Sequence, residues 1–206
     1  MRKVADSTVR RLSLYLRFLE EFEQRGLETV SSESLAQRGG TTSAQVRKDL
    51  SCFGSFGKRG LGYAVPELAT RLRDILGLGR RYRVALIGAG KIGSALVNYR
   101  GFQQRGFDIA AIFDADPGKI GRQWNGLTVR DVAELEREAR AQPFDMAVLV
   151  TPGEVAQGIA ERLVRLGIKA ILNFAPVQLV VPDEVAVKTV NLALELETLS
   201  YALTNR

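Results

Sequence analysis

The stretch from Arg83 to Asp116 carries the residues whose types and spacing could do the most chemistry. An apolar run, Val84-Ala85-Leu86-Ile87, enters Gly88-Ala89-Gly90-Lys91-Ile92-Gly93, and Ser94-Ala95-Leu96-Val97 continues as a helix. A second apolar run, Ile109 to Phe113, ends in Asp114. In a strand–turn–helix of this kind the first glycine permits the tight turn. The second lets main chain approach a pyrophosphate, and the third lets helix and strand pack closely. Unpaired N–H groups at the start of the helix then face the phosphates. Asp114 lies 21 residues beyond Gly93, where a carboxylate accepts hydrogen bonds from an adenosine ribose. The same carboxylate repels a 2′-phosphate, so the spacing favours NAD over NADP.

The elements that must hold this turn alternate along the chain. A helix from about Val132 to Ala141 precedes the strand Phe144 to Val150, and Thr151-Pro152-Gly153 turns into a helix that runs through Leu166. Lys169 to Phe174 forms a further strand, closed by Ala175-Pro176. Such alternation builds a doubly wound parallel sheet, which binds ligands outside the carboxyl ends of its strands. Tyr99, Thr151, Pro152, Ala175 and Pro176 are therefore expected beside the nucleotide.

The N-terminal part has another character. Of the net charge of +6, residues 1–80 carry +5, with 14 Lys and Arg against 9 Asp and Glu. A basic module joined to a nearly neutral one points to a polyanion as partner of the first. Its helices are predicted from Ser7 and Thr8 to Glu23, with Val9, Leu12, Leu16, Leu19 and Phe22 as the apolar face, then from Ser31 and Ser32 to Gln37. A third opens at Thr42, with Gln45 completing a capping box. In that helix Val46, Leu50 and Phe53 form the buried stripe, and Ala44, Arg47, Lys48 and Ser51 the outer face. Two short helices around Gly39-Gly40 make a helix-turn-helix, whose second helix enters a major groove. Arg47 and Lys48 are then candidates for base edges or phosphates, with Ser43 and Gln45 as further polar contacts.

Gly54 to Tyr63 reads as a hairpin with a cationic tip at Lys58-Arg59-Gly60, a wing whose Arg59 suits a narrow minor groove, or else as a surface loop. Leu68, Leu72, Ile75 and Leu76 mark a fourth helix that returns to the first, and the glycine-rich segment from Gly77 to Arg81 is the expected boundary. The last helix, Asn191 to Thr204, places Leu192, Leu196, Leu199 and Leu203 on one face, which covers either its own sheet or a second copy. The domains expected are a winged helix over 1–80, a Rossmann-like domain over 81–190 and a dimerisation helix over 191–206.

Several classes are disfavoured. The chain has a single cysteine, Cys52, and no histidine, so a disulfide framework and a multi-cysteine metal site are excluded and no metal is expected. The missing histidine also removes the commonest acid–base group of nicotinamide-dependent dehydrogenases. No apolar run reaches the ~20 residues of a membrane span, and the N-terminus lacks a signal-peptide core, so a cytoplasmic protein is expected.

Ser43-Ala44-Gln45-Val46-Arg47-Lys48-Asp49-Leu50-Ser51, Phe56-Gly57-Lys58-Arg59-Gly60-Leu61-Gly62-Tyr63, the glycine turn and Ile171-Leu172-Asn173-Phe174-Ala175-Pro176 together resemble the bacterial redox-sensing repressors of the Rex family. The resemblance covers nearly the whole chain. It implies a homodimer of winged-helix and Rossmann domains with the C-terminal helix exchanged between subunits. It further implies that NADH releases the dimer from palindromic operators of respiratory and fermentative genes, while NAD⁺ competes for the same site. Arg47, Lys48 and Arg59 would be DNA contacts. Gly88 to Gly93 and Asp114 would hold the dinucleotide, with Tyr99 near the nicotinamide.

Two departures stand out. Cys52 replaces an aromatic residue of many relatives, and Asn191 replaces an Asp that in some of them pairs across the dimer, with Arg17 and Tyr99 as the partners affected here. A small NAD-dependent dehydrogenase and a coenzyme A or other nucleotide-binding regulator are the alternative readings.

Overall fold

The computed structural model describes residues 4–57 and 61–205, so Lys58, Arg59 and Gly60 of the expected wing tip lie outside the described residues. The chain divides into two compact units, residues 1–80 and 81–206.

The first unit is built on α1 (Asp6–Gln24). The helix begins before the expected Ser7–Thr8 cap, on the extended residue Ala5. Thr8 is instead turned inward, and Val9 is 38 % exposed. The buried face is Leu12, Tyr15, Leu16, Leu19 and Phe22, so Tyr15 takes the place assigned to Val9. After β1 (Thr29–Val30) come α2 (Ser32–Gly39) and α3 (Ser43–Ser51). Each has a hydroxyl at its start: Ser31 Oγ accepts from Ser34 N at 3.0 Å and Thr42 Oγ1 from Gln45 N at 3.2 Å. Both bonds satisfy main-chain donors that the first turn leaves free.

β2 (Tyr63–Ala64) precedes α4 (Val65–Ile75). The described partner of β2 is β1, antiparallel, with Val30 opposite Tyr63. Residues 54–57 form no strand, and the far side of the expected hairpin runs into the residues outside the described ones. Leu68 and Leu72 of α4 join Leu12, Leu16, Leu19, Val46 and Leu50 in one core.

In the second unit the strands are β3 (Tyr82–Ile87), β4 (Phe107–Asp114), β5 (Gln123–Trp124), β6 (Leu127–Asp131), β7 (Met146–Leu149), β8 (Ala170–Asn173) and β9 (Ala186–Thr189). They form one sheet in the order β5-β6-β4-β3-β7-β8-β9. Every neighbouring pair is parallel except β5–β6. β5, β6 and β9 were not expected from the sequence. The period of two along β3 sends Ala85 and Ile87 into one core and Val84 and Leu86 into another.

Helices α7 (Leu135–Ala141) and α8 (Gly153–Arg165) supply Leu135, Ala156, Ala160 and Leu163 to the first of these cores. Helix α5 (Lys91–Val97) supplies Val97 to the second. The sheet is thus covered on both faces, a Rossmann-like doubly wound arrangement whose order reverses between β3 and β7. A short helix, α6 (Arg100–Gln104), follows α5, and α9 (Leu192–Thr204) ends the chain. Among the described residues no helix is long and apolar enough to cross a membrane.

Candidate functional site

A cleft of about 830 Å³ opens where the strand order reverses, lined by Gly88, Gly90, Asp114, Lys119, Thr151 and Pro152 with an apolar wall that includes Ile92, Phe174 and Pro176. The three glycines of the turn are needed for different reasons. Gly88 has φ +110°, and a Cβ there would lie 2.6 Å from the Val150 carbonyl oxygen. A Cβ on Gly93 would collide with the Gly88 carbonyl oxygen. Both positions are closed by the chain's own main chain. Gly90 has nothing within 4 Å of an added Cβ, so the space it leaves belongs to the cleft. The first turn of α5 also leaves N–H groups without helical partners.

Asp114 faces this turn. Its Oδ2 accepts from Ala89 N at 2.5 Å and from Lys119 Nζ at 3.2 Å, and its Oδ1 accepts from Asp116 N at 2.8 Å. Burial pushes this carboxyl up, but the Asp116 and Ala89 amides and the Lys119 ammonium outweigh it and hold it below the usual carboxylate range. It is therefore ionised at neutral pH and braces the glycine turn as well as facing the cleft. On the opposite lip, Thr151 Oγ1 is buried with no hydrogen-bond partner among the described residues. A buried hydroxyl without a partner is costly unless a ligand or water completes it.

The other expected cofactor residues divide. Ile92, Thr151, Pro152 and Pro176 line the cleft, whereas Ala89 acts through its amide and Lys91 is exposed beside it. Ala175, 1 % exposed, lines an adjoining hollow of about 530 Å³ with Asn191 and Leu192. That hollow shares Ile92, Phe174 and Pro176 with the cleft. Tyr99 does not line the cleft within the single chain: it is 56 % exposed, stands edge-on to Phe102 and lines a separate hollow with Leu96 and Phe107. The reason is geometric. Tyr99 follows the far end of α5, and seven helical residues carry it ~10 Å from the glycine turn. A cleft-lining residue absent from the sequence-based expectation is Lys119, whose position five residues after Asp114 was the available signal.

In the first unit, Arg47 and Lys48 are exposed on the outer face of α3 together with Ala44 and Ser51, and Ser43 is half-buried. Arg47 Nη1 donates to Ser32 Oγ of α2 at 3.0 Å. Gln45 supplies only half of the expected capping box. Its side chain does not reach back; Nε2 donates to Asp49 Oδ1 at 2.8 Å.

Asp49, 1 % exposed, also receives Arg11 Nε at 2.6 Å, Arg11 Nη2 at 2.7 Å, the Tyr15 hydroxyl at 3.0 Å and the Thr8 hydroxyl at 3.4 Å. The carboxylate ties the outward-facing helix to α1. Its signal in the sequence was a charged residue directly before buried Leu50, which required a partner.

At the C-terminus Asn191 Oδ1 accepts from Ala193 N and Leu194 N, so the side chain caps α9. Leu192, Leu196, Leu199 and Leu203 are 60–79 % exposed, and no residue of α9 is buried. The helix does not cover its own sheet. Arg17 is exposed.

These features define a protein that joins a helix-turn-helix unit to a Rossmann-like unit with an open cleft at its switch point. Comparison with known proteins gives the same division. A family model described as "CoA binding domain" matches residues 80–177, and one described as "Putative DNA-binding protein N-terminus" matches residues 3–51. The chain is 47 % identical over 199 residues to a protein of Carboxydothermus hydrogenoformans named redox-sensing transcriptional repressor Rex, covering 97 % of this chain and 96 % of the relative. A Thermus thermophilus protein of the same name is 46 % identical over 203 residues, 98 % of this chain and 95 % of the relative.

Among solved structures, that of RSP in complex with β-NAD⁺ and operator DNA superposes with a TM-score of 0.93 at 41 % identity, over 98 % of this chain and 94 % of that one. That of RSP in complex with β-NADH gives 0.88 at 40 %, over 98 % and 95 %. The chain belongs to the Rex family of redox-sensing transcriptional repressors. Its relatives are named as repressors and not as enzymes.

Proposed function

We propose that this protein represses transcription by binding palindromic operator DNA as a homodimer and releases it when NADH occupies the cleft of the second unit. The observation that carries this reading is the full-length likeness to RSP, a protein whose structures are described with operator DNA and with both oxidation states of the dinucleotide. In this reading residues 1–80 bind DNA, 81–190 bind NAD(H) and 191–206 pair the subunits.

The residues present fit a dinucleotide. Gly90 leaves the room that a pyrophosphate requires, and the amides of the first turn of α5 face it. Asp114, ionised, accepts from ribose hydroxyls, and the unpartnered Thr151 hydroxyl serves a polar group of the ligand. Ile92, Phe174 and Pro176 offer an apolar wall. The bound nucleotide supplies the redox information as the difference between a neutral dihydronicotinamide and a positively charged ring. That wall accepts the neutral form more readily, since a charge loses hydration there.

On the DNA side, Arg47 reads a base edge or positions a phosphate once it exchanges Ser32, and Lys48 holds the backbone. Ser43, Gln45 and the wing residues Lys58, Arg59 and Gly60 are the further contacts proposed. In a two-fold dimer the paired helices must reach groove faces about 34–36 Å apart, so a change in the pairing of the second units is enough to break the fit. The contacts proposed to transmit that change are α9, with Leu192, Leu196, Leu199 and Leu203, together with Asn191, Arg17 and Tyr99.

The test is a gel-shift titration of a palindromic operator with and without NADH. NADH should release the DNA, NAD⁺ should not, and incubation with ketones and aldehydes should leave NADH unconsumed. Failure of NADH to weaken operator binding would refute the reading; steady consumption would favour a dehydrogenase.

A further inference from the structure

We propose that Lys119 sets how strictly the cleft distinguishes a 2′-phosphorylated dinucleotide from an unphosphorylated one. This inference rests on the cofactor reading of the same cleft and names a residue that the glycine-and-acid pattern leaves out. Asp114 is already heavily engaged: three of its hydrogen bonds go to the Ala89 amide, the Asp116 amide and the Lys119 ammonium. A carboxylate offers about four acceptor positions, so roughly one remains for a ribose with two neighbouring hydroxyls. A second polar partner must come from the groups beside it, and those lining the cleft there are Asp116 and Lys119.

The charge balance gives Lys119 its particular weight. Nζ lies 3.2 Å from Asp114 Oδ2 and 3.6 Å from Asp116 Oδ2, and its side chain is one-third exposed. With Lys119 the cluster carries a net −1; without it, −2. A phosphate monoester adds about −1.5 to −2 at neutral pH, so the ammonium removes repulsion that Asp114 alone would impose and offers a donor to the phosphate.

The fold does not need this ammonium. The turn that carries it is closed by main chain and by Asp116: Lys119 N donates to Asp116 O at 2.9 Å, and Gly118 N donates to Asp116 Oδ1 at 2.9 Å. The chain is therefore expected to prefer NADH over NADPH by a smaller margin than an uncompensated acid would give.

The experiment measures dissociation constants for NADH and NADPH on the full-length protein, using the fluorescence of the reduced nicotinamide. Lys119→Met keeps the aliphatic stem and removes the charge. It should weaken NADPH on the order of tenfold, while NADH changes by no more than about threefold, so the ratio widens. Lys119→Arg should keep the native ratio. Asp116→Asn should shift it in the opposite sense, because it removes a negative charge and retains the acceptor for Gly118 N. Equal weakening of both nucleotides by Lys119→Met would mean that the lysine serves only the loop and would overturn the proposal, as would an unchanged ratio. If the native protein bound neither nucleotide, the cofactor reading itself would fall, a result distinct from an unchanged ratio.

Discussion

Removing the Asp49 carboxylate should cost the N-terminal unit about 3 kcal/mol and loosen α3 before any DNA contact is touched. Asp49→Ala strips the Arg11 guanidinium of a two-pronged ion pair and leaves the buried Tyr15 hydroxyl without its acceptor. Breaking one partner of a buried pair costs roughly 3–5 kcal/mol. The Arg11 side chain is 25 % exposed, so water replaces part of what it loses and the lower end applies. A unit of this size has a stability of only ~4–12 kcal/mol, so the loss is a large fraction of it.

Urea unfolding of the full chain, followed by far-ultraviolet circular dichroism, should show the shift. Fluorescence of the single tryptophan, Trp124, which lies in β5 of the second unit, serves as the control. Arg11→Met with Asp49→Leu should recover most of the stability, because it removes the charges together. The pH dependence has a definite sign. Burial raises the Asp49 carboxyl, but bonds from Arg11, Gln45 and Tyr15 prevail and its folded value is lowered. Its contribution is present above the unfolded carboxylate value of about 4 and is lost as pH falls through the lower folded value. A destabilisation below ~1 kcal/mol, or an acid limb identical in Asp49→Ala, would refute the assignment of Asp49 as the tie between α1 and α3.

The remaining predictions concern the ligands. Gly90→Ala should fold normally and lose NADH affinity, whereas Gly93→Ala should lose thermal stability first, because a Cβ meets open space at one and the Gly88 carbonyl at the other; thermal melts beside binding titrations check both. Arg47→Ala and Lys48→Ala should each weaken operator binding and leave NADH affinity unchanged. The arginine is worth roughly 1–3 kcal/mol if it reads a base, and loss of the lysine should flatten the salt dependence. Asp114→Ala should reduce NADH affinity and narrow its margin over NADPH, since it removes a ribose acceptor, the repulsion of a 2′-phosphate and the brace on Ala89 N; equal affinity of the native chain for both reduced nucleotides would contradict this.

What was legible in the sequence is what neighbouring residues decide among themselves. Gly88, Gly93 and Asp114 could be placed by spacing alone, because strand, turn and helix leave few alternatives. Ser31 and Thr42 announced α2 and α3 because capping is a contact over three residues. Asp49 was opaque because its main partner, Arg11, lies 38 residues away on another helix. The same tie drew Gln45 inward from the surface where its type alone had set it. β5 and β9 escaped because they are short edge strands with little buried surface to impose a period. Tyr99 stands outside the cleft of the single chain because proximity to the glycine turn in sequence becomes distance once α5 is wound.

Helix α9 joins the two halves of the proposed switch. Six large side chains, Leu192, Leu194, Leu196, Leu199, Tyr201 and Leu203, are 52–79 % exposed on a helix of 13 residues. A helix of that length is marginal by itself in water, and fully burying one such leucine contributes roughly 1.5–3 kcal/mol. The two-fold pairing proposed here supplies that burial, which makes the helix an energetic part of the dimer. Its first turn has a second attachment. Asn191 and Leu192 line the hollow that shares Ile92, Phe174 and Pro176 with the nucleotide cleft. Any group that presses on that shared wall therefore acts on the root of the helix. Communication then needs no long path through the sheet, only a wall with two arrangements that pairing and ligand favour differently. A useful coupling is about 1–3 kcal/mol, and by reciprocity operator DNA must weaken NADH binding by the factor with which NADH weakens operator binding.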